Sequence, residues 1–332
     1  MDIPTGRTQR IGFLLIDGFA LMSFAAAAEP LRAANLLARR TLYETVTVSR
    51  EGPWGVSSSG VAAPADAQVG EELGLDLLLV VAGGEPLACD DERTFAWLRR
   101  LDRRGVRLGG VSGGPAILAK AGLMAGRRMT VHWEHAPALM ETMPELALEK
   151  SLYVRDRDRV TCAGGVAPLD LMHALIAEAH GPHFARRVSD WFLHTHIRPA
   201  GGAQRAGLIE RYGVTLPPLL AALEAMEDHI ADPLSLEQLA ERAGLSPGGF
   251  GQLFRRHLHD SPMSLYRRIR LEVGQRLLHG SSLTMAEIAQ AAGFSDSAHF
   301  CRAYKSRYGR TPSSRRRLVE EMNATARDRR RR

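Results

Sequence analysis

Residues Gly109 to Leu118 read GGVSGGPAIL, and Gly110-Val111-Ser112-Gly113-Gly114 within them is a G-x-S-x-G. The pattern puts a serine on a sharp strand-to-helix turn, with its hydroxyl at the end of a sheet. A nucleophilic serine there needs an acid and then a histidine further along the chain, plus an oxyanion loop. Asp170 and His194 have that order, but they lie near opposite ends of one predicted helical stretch, and no HGGG-type loop is present. The same turn offers a second chemistry. Backbone N–H groups at a helix start, helped by the helix dipole, suit a carboxylate. Ser112 and Gly113 would present them, and Gly83 and Gly84, closing an apolar run, could add donors from a neighbouring strand. Trp133 could offer its aromatic face to a cationic group, and Glu29 could neutralise the same cation. These residues describe a site for a zwitterion such as an amino acid or a betaine. The alternatives are a core tryptophan and a glutamate at the surface or in a dimer contact.

A second set of residues lies in the last third of the chain. LSLEQLAERAGLSPGGFGQLFRRHLHDSP (234–262) repeats as LTMAEIAQAAGFSDSAHFCRAYKSRYGRTP (283–312). The offset is 49 residues and becomes 50 after one inserted residue: Leu239 matches Ile288, Gly244 matches Gly293, Phe250 matches Phe300 and Pro262 matches Pro312. Each copy predicts a short helix, a glycine-centred turn and a second helix opened by Ser246 or Ser295 as N-cap. This is a helix-turn-helix in duplicate. The stretch 263–278 between the copies predicts a connecting helix of about 24 Å, able to hold two reading helices about one DNA turn apart. Residues 235–317 carry 14 Lys+Arg against 6 Asp+Glu, a local net of +8. A basic duplicated helix-turn-helix points to double-stranded DNA rather than to an ordinary helical bundle.

The elements that must carry the first site alternate. Residues 10–16, 43–50, 75–84, 106–112 and 128–133 read as strands, and 152–165 as a hairpin. Helices are predicted over 20–38, 91–105, 113–123, 135–144 and 167–181, with Pro30 an awkward residue inside the first. Alternation of this kind predicts an α/β domain, a parallel sheet covered by helices on both faces. Ligands bind such sheets outside the carboxyl ends of the strands, where Gly83-Gly84 and Ser112-Gly113 both fall. Near residue 195 the pattern breaks into a Gly/Pro-rich stretch. The expected division is a first domain over 1–200, a linker over 201–217, an all-α domain over 218–318 and a basic disordered tail over 319–332.

The 332 residues are 45% hydrophobic, which excludes a disordered chain. Residues 1–215 hold 24 basic and 24 acidic residues, whereas 216–332 hold 19 and 13, so the whole excess of +6 sits in the last third. Three scattered cysteines, Cys89, Cys162 and Cys301, give neither a zinc motif nor a disulfide framework, and suit a reducing cytosol. No apolar run is long enough for a membrane span or a signal-peptide core. A cytoplasmic protein with no metal, cofactor or membrane partner is expected.

Residues 235–316 resemble the AraC/XylS family of transcription regulators, through SLEQLAERAGLSPGGFGQLFRRHL and AEIAQAAGFSDSAHFCRAYKSRYGRTP. The resemblance implies that Ser297, His299, Cys301 and Arg302 face a major groove, with Arg302 suited to bidentate reading of guanine. Arg255, Arg267, Arg268 and Lys305 are placed on phosphates, where they set affinity and register. The first motif departs from the family, with Gly248, Gly249 and Gly251 in its reading helix. Gln252 remains there to pair with adenine, and the second motif is expected to carry most of the direct readout. Residues 9–195 look like the PfpI-like branch of the class I glutamine amidotransferase-like superfamily, through LLIDGF, LVVAGGEP, GGVSGGPAILAKAGLMAGRRMTVHW and VTCAGGVAPLDL. That implies a flavodoxin-like fold, and it brings His132 near the elbow. Enzymes of the superfamily carry cysteine at the elbow; here Ser112 stands there, so the pocket is expected to persist as a ligand sensor without catalytic residues. The pairing of both domains is similar to the GlxA-like group, which includes activators of arginine, carnitine and glycine-betaine catabolism genes. It implies a homodimer that takes promoter DNA and a small effector as partners, with RNA polymerase a further candidate. The competing expectation is a serine-dependent hydrolase or amidase fused to a DNA-binding domain.

Overall fold

The run Leu77–Ala82, LLLVVA, is buried at every position, and the computed structural model, which describes residues 7–318, sets it at the middle of a seven-stranded sheet. In chain order the first part contains β1 (Gln9–Leu15), α1 (Leu21–Ala38), β2 (Tyr43–Ser49), β3 (Trp54–Val56), β4 (Ala62–Pro64), β5 (Ala67–Gln68), β6 (Leu77–Ala82), α2 (Glu92–Arg103), β7 (Arg107–Ser112) and α3 (Gly114–Lys120). It continues with β8 (Arg128–Met129), α4 (Ala136–Thr142), β9 (Ala147–Leu148), β10 (Tyr153–Asp156), β11 (Arg159–Cys162), α5 (Ala167–His180) and α6 (Pro182–Trp191). The sheet order is β10-β11-β7-β6-β1-β2-β5, parallel throughout except for the β10–β11 hairpin.

Alternation along β6 builds two cores. Leu78, Val80 and Ala82 pack with Phe95, Leu98 and Ile117 on one face. Leu77, Leu79 and Val81 pack with Leu31, Leu171 and Ile176 on the other. Each such burial contributes roughly 1.5–3 kcal/mol, which is why the strands read as unbroken apolar runs. The fold is a flavodoxin-like parallel sheet with helices on both faces.

Some elements depart from expectation. The strand predicted over 128–133 pairs only at Arg128–Met129. Beyond it side chains and loops satisfy the backbone: the Thr130 N–H donates to Thr161 Oγ1 at 2.9 Å and the His132 N–H to the Ser112 carbonyl at 3.2 Å. Helix 167–181 is followed directly by α6, because Gly181 at φ +85° turns the chain between them. Pro30 is buried inside α1 without ending it.

The chain divides into two compact units that meet in sequence between Gln204 and Arg205. The second holds α7 (Leu208–Tyr212), α8 (Pro217–Asp228), α9 (Leu236–Arg242), α10 (Pro247–Leu258), α11 (Pro262–Gly280), α12 (Met285–Ala291) and α13 (Ser297–Tyr308). Helix α7 falls within the stretch read as linker, where Arg211 pairs with Glu227 of α8. The 19 residues of α11 make a connector about 28 Å long. The tail read as disordered, 319–332, lies outside the described residues. No helix among the described residues is long and apolar enough to cross a membrane.

Candidate functional site

Ser112 closes β7 at φ +60°, a left-handed conformation that costs a non-glycine residue roughly 1–2 kcal/mol. The fold imposes it. A Cβ at Gly114 would lie 1.8 Å from the Val80 carbonyl, so the start of α3 is pressed onto β6 and the chain must turn abruptly at Ser112. The Ser112 carbonyl accepts from the His132 N–H, and the Gly113 N–H donates to the Ala82 carbonyl at 3.0 Å. Both bonds hold the elbow to its neighbours.

Three strand ends converge there. Gly83–Gly84 follow β6, Ser112 ends β7 with Gly113 next to it, and Gly164–Gly165 lie just past β11. A Cβ at Gly164 would stand 2.6 Å from Ser112 Cβ and 2.9 Å from Ser23 Oγ, so only glycine lets the three approach. Ser23, at the start of α1, is fully buried, and its Oγ accepts from the Gly165 N–H at 2.8 Å. Ser23, Gly164 and Gly165 were missed in the sequence. The Ala-Gly-Gly at the end of β11 was a usable signal, because glycines at a parallel strand's carboxyl end mark a pocket rim. A single serine beside an alanine-rich helix carried none.

His132 and Trp133 stand beside this cluster, both half-buried, with ring centroids 5.4 Å apart. Burial lowers the His132 pKa, partly opposed by Glu134, which favours the neutral ring. His135, 6% exposed, is pushed down to about 4 by burial and then by His132. Two expected roles need correction. The Gly113 N–H is spent on Ala82, so it is not a spare donor for a carboxylate. Glu29 stands apart: it pairs with Arg32 on the outward face of α1, whereas Ser23 is fully buried on that helix. Six residues at 3.6 per turn set Glu29 about 120°, a third of a turn, around the helix from Ser23.

No side chain among the described residues hydrogen-bonds the Ser112 hydroxyl. Asp170 and His194 do meet, contrary to their expected separation, since α6 and the chain after it double back. His194 Nε2 lies 2.8 Å from Asp170 Oδ1, but the remaining acceptors of Asp170 serve Arg198, through its backbone N–H (2.9 Å), Nε (2.9 Å) and Nη2 (2.7 Å). Asp170 is fully buried and joined to Arg198 rather than to Ser112. Cys162, paired in register with Val111, is held protonated by burial, its thiol pushed up to about 12.

In the second unit the repeat becomes two matched helix pairs. Phe250 and Phe254 of α10 and Phe300 and Tyr304 of α13 are fully buried at equivalent positions. Ser246 caps α10, accepting from the Gly249 N–H. Ser295 does not cap α13; Asp296 does, accepting from the His299 N–H at 2.7 Å. The inserted residue moves the cap by one position. The exposed side chains repeat as well: Gln252 and Arg255 on α10, Arg302 and Lys305 on α13, each pair 50 residues apart. Ser297, His299 and Cys301 are half-buried. The His299 ring meets Ser295 Oγ at 3.2 Å and lies edge-on to Phe294, and burial raises the Cys301 thiol. On α11, Arg267 is exposed, whereas Arg268 pairs with Asp260 at 3.1 Å. Gly248 and Gly251 have open space around them, so packing does not demand glycine at either.

Comparison with known proteins places these two arrangements. Residues 9–178 match the DJ-1/PfpI family, and residues 239–318 match a helix-turn-helix domain. The chain is 48% identical over 310 residues to the HTH-type transcriptional regulator GlxA of Rhizobium meliloti, covering 93% of this chain and 96% of that protein. It is 40% identical over 306 residues to the HTH-type transcriptional regulator CdhR of Pseudomonas aeruginosa, covering 92% and 91%. A solved THiJ/PfpI family protein from Pseudomonas syringae shares the fold of the first unit, at 23% identity and a TM-score of 0.51, over 58% of this chain and 78% of that one.

Proposed function

The chain belongs to the family of HTH-type transcriptional regulators that carry a DJ-1/PfpI domain, and from that premise we propose that it binds promoter DNA sequence-specifically and answers to a small zwitterionic metabolite. The observation that carries this reading is the repeat of one exposed polar pair, Gln252/Arg255 and Arg302/Lys305, at matched positions of two helix-turn-helix modules. Such faces suit two successive major grooves. Arg302 reads guanine, Gln252 reads adenine, and Arg255, Arg267 and Lys305 hold phosphates. Arg268 reaches a phosphate only by leaving Asp260, so it contributes less. Ser297, His299 and Cys301 flank Arg302 as contacts of second rank, and α13 carries most of the sequence discrimination because α10 opens on bare glycines.

The effector occupies the strand-end cluster. Ser112, Gly83 and Gly84 line it, with Ser23, Gly164 and Gly165 beside them, and the neutral His132 with Trp133 forms an aromatic wall for an ammonium or quaternary amine. The protein acts in the cytoplasm as a homodimer, activates genes for amino-acid or quaternary-amine catabolism, and engages RNA polymerase at the promoter. Two measurements test this. Footprinting on the region upstream of its own gene should show a sequence-selective, salt-sensitive site. A thermal-shift screen over amino acids and quaternary amines should find a stabilising compound, by about 2.7 kcal/mol at 100-fold over its Kd. No footprint removes the DNA-binding reading; no hit removes the effector class.

A further inference from the structure

Three backbone peptide groups beside the elbow are hydrogen-bonded in line. The Ala82–Gly83 peptide accepts, through the Ala82 carbonyl, from the Gly113 N–H at 3.0 Å. The Ser112–Gly113 peptide accepts in turn, through the Ser112 carbonyl, from the His132 N–H at 3.2 Å. The Val131–His132 peptide then accepts, through the Val131 carbonyl, from Gln204 Nε2 at 3.1 Å. Each peptide is planar and rigid, so a donor and an acceptor on opposite edges move together. Bonds arranged this way also polarise one another.

The end of this relay is a built site. Gln204 Nε2 also meets Thr130 Oγ1 at 3.0 Å and the Ser151 carbonyl at 2.8 Å. Thr130 Oγ1 spends its own proton on the Ser151 carbonyl, so all three partners present lone pairs, and only the amide nitrogen can face them. Gln204 Oε1 is enclosed without a partner. The side chain is therefore held through its donor alone, and it belongs to the last residue of the first unit, directly before Arg205.

We infer that Gln204 is a positioning residue that couples the strand-end cluster to the DNA-binding unit through the Ser112–Gly113 and Val131–His132 peptides. A ligand that shifts the elbow peptide shifts Val131–His132, and with it the grip on the residue from which the second unit departs. The inference rests on the effector site proposed above, but its test needs no effector, because coupling between two sites is reciprocal.

The probe is a DNA duplex carrying the region upstream of the gene. Hydrogen exchange is followed in the full chain over residues 110–116 and 130–134, with and without that duplex. In the native chain, DNA should change exchange at the Gly113 and His132 amides by about fivefold or more. In Gln204→Glu, which keeps the shape but removes the donor, and in Gln204→Ala, DNA should still bind and these amides should no longer respond. Cooperative unfolding of each variant shows that it folds, and either variant alone suffices. DNA binding by the native chain with a smaller response at the elbow overturns the inference while leaving DNA recognition standing. So does a native-sized response in a folded variant. Absence of DNA binding by the native chain overturns both readings together.

Discussion

Arg302 and Lys305 lie one helical turn apart on α13, both exposed, yet their side chains suit different work. A planar guanidinium matches the two acceptors of a guanine edge, whereas an ammonium is a point charge that any phosphate satisfies. Arg302→Ala should therefore cost about 1–3 kcal/mol on the preferred site and relax selectivity at one base pair. Lys305→Ala should weaken all sequences alike. Titrating both variants against single-base changes in the operator checks this, and equal losses on every sequence for Arg302→Ala would make it a phosphate contact instead. A second residue-scale prediction concerns pH. His135 titrates at about 4 in the folded chain and near 6.5 when unfolded, so between those values the unfolded state binds the extra proton. Its contribution to stability is constant above about 6.5 and is lost as the pH falls toward 4, by about 3 kcal/mol at most. Urea midpoints of the first unit at several pH values should show a shallower acid loss in His135→Gln; identical slopes would mean His135 is accessible to protons in the folded state.

At the scale of elements, α10 contains an avoidable weakness. Gly248 in its first turn and Gly251 in its second have open space where a Cβ would go, and an interior glycine costs roughly 1 kcal/mol of helix relative to alanine. Gly248→Ala and Gly251→Ala should each raise the unfolding midpoint of the second unit by a few degrees, measured calorimetrically, with no loss of DNA selectivity. A fall in selectivity on adding a methyl group would instead mean that the duplex needs bare backbone there. The same elements show what a chain discloses unaided. The parallel strands, the repeated helix pairs and the elbow follow from periodicity and local turn chemistry, and all are present. Two of the arrangements that failed depend on contacts far apart in sequence, and the third on a local shift of register. The 128–133 segment gave up its ladder because Thr161 and Ser112 satisfy its backbone. Asp170 met His194 because one glycine, Gly181, reversed a helix. Ser295 lost the cap to Asp296 because one insertion shifted the register. Of the strand-end cluster, Ser112, Gly83, Gly84, His132 and Trp133 were legible, whereas Ser23 and Gln204 gain meaning only once their distant partners are known.

At the scale of the whole molecule, charge is unevenly divided along the chain. Residues 1–215 sum to zero net charge, and the excess of +6 lies entirely beyond them. On the proposed reading, affinity for DNA is set by cations of the second unit, among them Arg255, Arg267 and Lys305, all three exposed. About five or six phosphate contacts would give a slope of log K against log salt near −5, a loss of roughly 10³ between 50 and 200 mM. On the reading proposed above, the effector should behave differently. A zwitterion entering a nearly neutral unit would release few counterions and would act by changing the fraction of protein competent to bind, multiplying the affinity by a factor independent of salt. Plots of log K against log salt, measured with and without the stabilising metabolite, should therefore be parallel lines separated by a constant factor. Lines whose slopes differ by about 1 or more would mean that the metabolite changes how many phosphates are neutralised, and so works by re-docking the reading helices rather than by shifting a population.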